Sequence, residues 1–282
     1  MVTFFFNYAD CPRMQANYLR WRKQWSKFEL PVYTVEVLLR GQLPSLEGDR
    51  VHHVTVQEPL FHKESGVNYM LHRLPADTEL LLWVDSDLVF SGLAGLRKLP
   101  GMLQRHAVVQ LMRQIQYLGQ DGEHLDRLKK SFFHDQRNGY HGGAFAARVD
   151  TLKACGGLPV CSPTGGGDSV FLMGCMGPEL VKRWEWYVKK IEPSVQQQMR
   201  DYAAKAFSVV KGRAGVLDQC TGRHLWHGDT QTREYQTRHS IIQSLDYGQT
   251  RVDGNGFLEC TTPQPEIRQG MLDYWRRRRC KN

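Results

Sequence analysis

Residues 80–90 read LLLWVDSDLVF: five apolar residues, then Asp85, Ser86 and Asp87, then apolar residues again. LLLWV shows no alternation of polar and apolar positions. Both faces of such a segment need cover, which suits a central strand of a parallel sheet with helices on either side. The two carboxylates then stand at the carboxyl end of that strand, the rim where open α/β sheets bind their ligands. Just past the end of the strand the chain can turn both towards one cation. Oxygen ligands there suit Mg²⁺ or Mn²⁺, and such a cation is useful where it also grips a diphosphate.

The sequence before this stretch has the same character. Residues 2–7 (VTFFFN) predict a strand. Pro12 opens a helix that carries Tyr18, Leu19, Trp21, Trp25 and Phe28. Strands are expected over 32–39 and 51–56, and a helix over 63–74 that ends before Pro75. This β-α-β-β-α-β alternation predicts an α/β fold with a mainly parallel central sheet flanked by helices. Beyond residue 90 the pattern is less regular. A strand is expected over 107–112, a polar loop and helix over 114–138, and a strand over 142–148 entered through Gly142 and Gly143. Helices are expected from residue 150 to 155, after the turn TGGGD (164–168), near 193–207 and over 231–245. No repeat or linker divides the chain, so a single domain over 1–282 is the economical reading.

The composition is that of an ordinary globular protein, with 41% hydrophobic and 23% charged residues. No apolar run reaches the roughly 20 residues needed to span a bilayer, so stable membrane insertion is not expected. The opening residues lack the basic start of a secretory signal, and a soluble cytoplasmic protein is the expectation. Seven cysteines without CxxC spacing argue against a disulfide framework or a zinc knuckle. The formal net charge is +8, which suits a polyanionic partner. Part of it lies in RRRR at 276–279, which reads as a frayed, solvated terminus.

Further clusters carry possible chemistry. His227, in HLWHG, is a candidate metal ligand beside the carboxylates. Asp168 follows three glycines and is either the cap of the next helix or a general base. Gly142 and Gly143 would open backbone N–H groups to a ligand. Arg233 and Arg238 are either surface charges or contacts to a diphosphate. GxxxxGK[ST], GxGxxG and GxSxG are all absent.

Taken in order, FFFNYADCPR, KESGVNYMLHRLP, WVDSDLVF, GGAFAARVDTLKACGGLP, GGGDSVF and HLWHGDTQTREYQTRH resemble a glycosyltransferase of the GT-A fold, close to the family-2-like group. The resemblance implies a nucleotide-sugar-binding half over about 1–112, an acceptor and metal half over about 113–245, and a C-terminal extension over 246–282. Tyr8, Asp10 and Arg13 would lie near the base and ribose of the donor. Lys63, Asn68, Asp85, Ser86, Gly142, Gly143, Arg233 and Arg238 would complete the donor site. Asp87 and His227, with Asp85 in the ribose contact or the metal's shell, would hold Mn²⁺ or Mg²⁺. Asp168 would be the base of an inverting transfer, at a place where relatives carry an acidic pair and this chain carries Gly167-Asp168.

The implied activity is transfer of a hexosyl or pentosyl group from a nucleotide-sugar, UDP-sugar favoured, to a hydroxyl acceptor. A glycan and a hydroxymethylated base in DNA stand level as that acceptor. Two other classes fit parts of the sequence. A nucleotidyl- or phosphotransferase would also use Asp-x-Asp at a strand end. A non-catalytic nucleic-acid-binding protein would account for the charge but not for the buried strand ending in Asp-Ser-Asp.

Overall fold

The computed structural model describes residues 1–177, 180, 192–228, 234, 237–243 and 245–278, the side chain of Asp126 excepted. Its first part follows the expected alternation: β1 (Val2–Phe5), α1 (Pro12–Trp25), β2 (Tyr33–Leu39), β3 (Val51–Val56), α2 (Lys63–Leu71) and β4 (Leu80–Val84). There follow β5 (Leu88–Ser91), α3 (Leu99–Arg105), β6 (Val108–Gln110), β7 (Gln114–Leu118), β8 (His124–Lys130), β9 (Ala144–Arg148), α4 (Val149–Cys155) and α5 (Gly167–Met176). The described chain continues with α6 (Pro193–Val210), β10 (Ala214–Val216), β11 (Thr221–His224), β12 (Thr250–Val252), β13 (Leu258–Cys260) and α7 (Pro265–Arg277).

The central sheet has seven strands in the order β10-β6-β9-β4-β1-β2-β3. Every neighbouring pair is parallel except the two that β9 makes with β4 and β6. The fold is therefore α/β with a mostly parallel sheet, as the apolar run at 80–84 predicts. That run is buried from both sides. Leu81 and Trp83 join a core with α2, α5, α6 and α7, while Leu82 and Val84 join a second core with Trp21 and Trp25 of α1. The period of two in the strand thus feeds two cores, and neither face tolerates a polar residue.

The chain runs from β1 outward to β2 and β3, then returns to lay β4 on the other side of β1. The sheet order reverses between β1 and β4, and a crevice opens there at the carboxyl ends of the strands. Phe6 and Asp85 flank it, and the Thr3 hydroxyl donates to the Val84 carbonyl at 2.7 Å beneath it.

Residues 114–138 differ from expectation. They hold no helix but the strands β7 and β8, part of a second sheet ordered β5-β11-β7-β8. β8 is an edge strand with Leu128 54% exposed, so its polar sequence reflects solvent on its free side rather than a loop. The expected helix over 231–245 falls partly outside the described residues, and Arg238–Ile242 within it forms a 3₁₀ turn.

The C-terminal residues also differ. Arg276 and Arg277 lie in α7, whose Ile267, Met271, Tyr274 and Trp275 are buried. The reading of RRRR as a frayed terminus therefore fails as far as Arg278. Arg277 pairs with Glu234 at 2.8 Å, and Arg278 lies over the Trp275 ring at 5.1 Å. Cys11 is disulfide-bonded, which the absence of CxxC spacing does not anticipate, while Cys155, Cys161, Cys175, Cys220 and Cys260 are free. No helix among the described residues is long and apolar enough to cross a membrane.

Candidate functional site

Asp87 stands one residue ahead of β5, which pairs antiparallel with β11 so that Leu88 faces His224. The Leu225 amide donates to the Asp87 carbonyl at 2.8 Å. This pairing brings two imidazoles, far away in sequence, onto one carboxylate. His227 Nε2 lies 2.9 Å and His224 Nε2 3.5 Å from Asp87 Oδ2. Ligand atoms of Asp87, His224 and His227 all lie within 4.8 Å of one another. His224 Nδ1 is 2.9 Å from the Leu225 carbonyl, a contact that calls for the Nδ1–H tautomer and leaves Nε2 as a lone-pair donor. Tyr117 stacks on the His224 ring at 5.3 Å. The turn carrying His227 is braced by α1: Asn17 donates to the Trp226 carbonyl at 2.9 Å, and the Arg13 guanidinium lies over the Trp226 ring. One carboxylate and two imidazoles suit a divalent first-row cation, so the residues present fit a metal.

Asp85 serves a different cluster. Lys63, the first residue of α2, places its ammonium 2.6 Å from Asp85 Oδ1 and 2.6 Å from Asp168 Oδ2. Asp168 comes from the first turn of α5. Gly166, in the left-handed region at φ 104°, holds the capping position, so Asp168 does not cap the helix and is turned to Lys63 instead. Glu64 lies against Gly167, where any side chain would run into its carboxylate. Burial pushes the Glu64 carboxyl up to about 8, with the Asp168 charge adding to the effect. Burial likewise pushes Asp85 up to about 7, against the pull of Lys63. The Lys63 pKa is raised because the charges of Asp168 and Asp85 outweigh its own burial. Beside this cluster His141 Nδ1 meets the Ser169 hydroxyl at 2.7 Å, and burial pushes that imidazole down to about 4.

Both clusters line one open cleft of about 1090 Å³. Of the sequence-predicted residues, Lys63, Asp85, Ser86, Asp87, Gly142, Asp168, His227 and Arg238 meet there. A side chain at Gly142 would come within 3.2 Å of Asp168 Oδ2, so glycine keeps the approach to that carboxylate open. Gly143 lies behind the cleft wall, packed against Leu88 and Met112. Asn68 is placed on the far side of α2, where it clasps the Leu158 backbone with bonds of 2.7 and 2.8 Å. Tyr8 stacks on Phe6 with its hydroxyl buried, and Asp10 is exposed and accepts from Gln42 at 3.1 Å. Arg13 is on the Trp226 turn, and Arg233 lies outside the described residues. His224, Glu64, His141, Trp275 and Arg278 also line the cleft and were not assigned from sequence. Only His224 had a legible signal, its spacing of three from His227.

No family model matches the chain, and no curated protein matches it. Solved structures similar to it include S. aureus TarS 1-349 in complex with UDP, at 12% identity and a TM-score of 0.41. That likeness covers 87% of this chain, which spans 65% of the TarS chain. A protein described as a nucleotide-diphospho-sugar transferase from Desulfovibrio desulfuricans G20 is similar at 9% identity and a TM-score of 0.37, over 86% of this chain and 91% of that one. The 4-diphosphocytidyl-2C-methyl-D-erythritol synthase from Anaerococcus prevotii is similar at 10% identity and a TM-score of 0.36, over 84% and 94% of the two chains.

Proposed function

We propose that this chain is a metal-dependent, inverting glycosyltransferase of GT-A type that uses a nucleotide-sugar donor and a hydroxyl acceptor. The observation that carries this reading is the cleft itself: a ligand set of Asp87, His224 and His227 on one side and the Lys63–Asp168 pair on the other. Asp87, His224 and His227 would hold the cation, and two imidazoles favour Mn²⁺ over Mg²⁺, which prefers oxygen. When bound, the cation supplies positive charge to stabilise a departing nucleoside diphosphate. Arg238, buried and facing the cleft, adds a forked donor for the same diphosphate. Asp168 takes the proton of the acceptor hydroxyl, whose oxygen attacks the anomeric carbon from the face opposite the leaving group. Lys63 holds that carboxylate in place. UDP as the nucleotide rests on the family resemblance alone.

Nucleotidyl or phosphoryl transfer through two metals would call for a second ligand set. Among the described residues a single group of three ligands comes together, which favours the glycosyl reading. The test is donor hydrolysis: released nucleoside diphosphate is measured with Mn²⁺ over a panel of UDP-, GDP- and other nucleotide-sugars. Slow metal-dependent release from one donor, lost in Asp87→Ala, is expected. No release and no thermal shift with any nucleotide-sugar would defeat the reading.

A further inference from the structure

We infer that the cleft wall made by β8 and the loop after it is a track for single-stranded nucleic acid. This rests on the transferase reading and names its acceptor class. Arg127, Lys129, Lys130 and Arg137 all line the cleft from this one wall. Lys130 and Arg137 are exposed and Lys129 is half-buried. None of these three takes part in the ion pairs among the described residues. The acid beside them, Asp135, turns Oδ1 to the backbone amides of Arg137 and Asn138 at 3.0 Å each. Asp135 also lines the cleft and offsets part of the charge of Lys130 and Arg137, so this wall sets four cations against one acid among its described cleft-lining side chains. The floor differs, since Lys63 is balanced there by Asp85 and Asp168.

A neutral glycan gains little from cations along one wall. A phosphodiester chain gains a counterion-release term for each phosphate met. Two features favour nucleic acid over a bare polyphosphate. The Arg127 guanidinium lies over the Tyr117 ring at 4.4 Å, presenting a planar cation on which a base can stack. Leu128, 54% exposed between the cations, offers an apolar contact that a phosphate would not use. Tyr117 in turn stacks on His224, so the wall runs directly into the metal-ligand cluster. A base held in a duplex stack could not reach the floor between Asp87 and Asp168, which is why the strand must be single or locally opened.

The test needs neither donor nor metal. Binding of a labelled mixed-sequence DNA strand is followed by fluorescence anisotropy across a salt series. The wall variant Lys129→Glu/Arg137→Glu is compared with Arg20→Glu/Lys23→Glu on the exposed face of α1, which carries the same charge change. Both variants are first checked for an unchanged circular dichroism melt, and Lys129→Gln/Arg137→Gln replaces the wall variant if it melts early. The wall variant should bind about tenfold or more weakly, and its log–log salt slope should fall by roughly 1.4 for two lost phosphate contacts. The α1 variant should stay within about twofold of the unaltered protein. Equal loss in both variants overturns the inference, as does no binding at all. Competition by inorganic polyphosphate as strong as that by the oligonucleotide overturns the nucleic-acid assignment, and duplex bound as tightly as single strand overturns the single-strand assignment. Donor hydrolysis by the unaltered protein is measured separately. Hydrolysis with failed wall specificity sinks only this inference, and specific binding without hydrolysis sinks the transferase reading and the acceptor role while leaving the single-strand track.

Discussion

His224 was the residue that sequence reasoning missed and His227 the one it found. HLWHG marks a histidine beside a glycine turn, but nothing in it says that β11 will pair with β5 and set both imidazoles on Asp87. His224→Ala should therefore weaken Mn²⁺ binding at least about tenfold by titration calorimetry, and His224→Gln should not restore it. Unchanged affinity in His224→Ala would remove it from the ligand set. Lys63 is the matching case in the other cluster. Its side chain is 12% exposed and its ammonium stands between two carboxylates at 2.6 Å each. Lys63→Met leaves buried negative charges uncompensated and should cost about 3–5 kcal/mol near neutral pH by denaturant titration. Because burial raises the Asp85 carboxyl to about 7 and loss of the ammonium raises it further, the deficit should shrink as pH falls below 7 or so. A deficit that does not change with pH would mean that lost packing, not charge, is responsible.

The elements that sequence reading resolved are those whose burial is uniform along their length. Leu80–Val84 is covered on both faces, so its residues are apolar without exception and its bounds are found as expected. The sequence of β7 and β8 resembles loop and helix because one edge of that sheet faces water and polar residues are tolerated along it. α7 was hidden by the arginines that end it, although Ile267, Met271, Tyr274 and Trp275 repeat at helical spacing. That helix packs on the mouth of the cleft: Trp275 meets Phe61 at 4.6 Å and Phe6 at 5.5 Å, and its indole N–H donates to the Pro59 carbonyl at 2.6 Å. Trp275→Ala should cost about 3–5 kcal/mol in denaturant unfolding. Trp275→Phe keeps an aromatic body but leaves the carbonyl without its donor, and should cost about 1–2 kcal/mol. Equal costs for the two would assign the whole effect to the hydrogen bond and none to the ring's contacts.

Across the whole molecule, buried ionisable groups set how stability responds to pH, and two of them act in opposite directions. His62 is 1% exposed, and burial pushes its pKa down to about 4 while Glu58 offers its carbonyl and Asp253 its charge in partial compensation. The folded state therefore binds fewer protons than the unfolded chain between pH 6.5 and 4, and this contribution is lost as pH falls through that window. Its full extent is on the order of 3 kcal/mol. Glu64 works the other way. With its carboxyl pushed from 4.5 up to about 8, the folded state holds a proton that the unfolded chain releases, so stability falls as pH rises across that range. The Met1 amine, lowered to about 6, and Asp85, raised to about 7, act over overlapping windows, so the total curve does not separate them. Differences between variants do. Relative to the unaltered protein, Glu64→Gln should gain Tm steadily from pH 5 to 8, and His62→Leu should gain it only as pH drops below 6.5 or so. The first outcome requires that Glu64 be buried beside Gly167 and crowded by Asp168, which is the geometry that also holds the proposed base. A flat Glu64→Gln difference would place that carboxylate in solvent and take the packing beneath Asp168 with it.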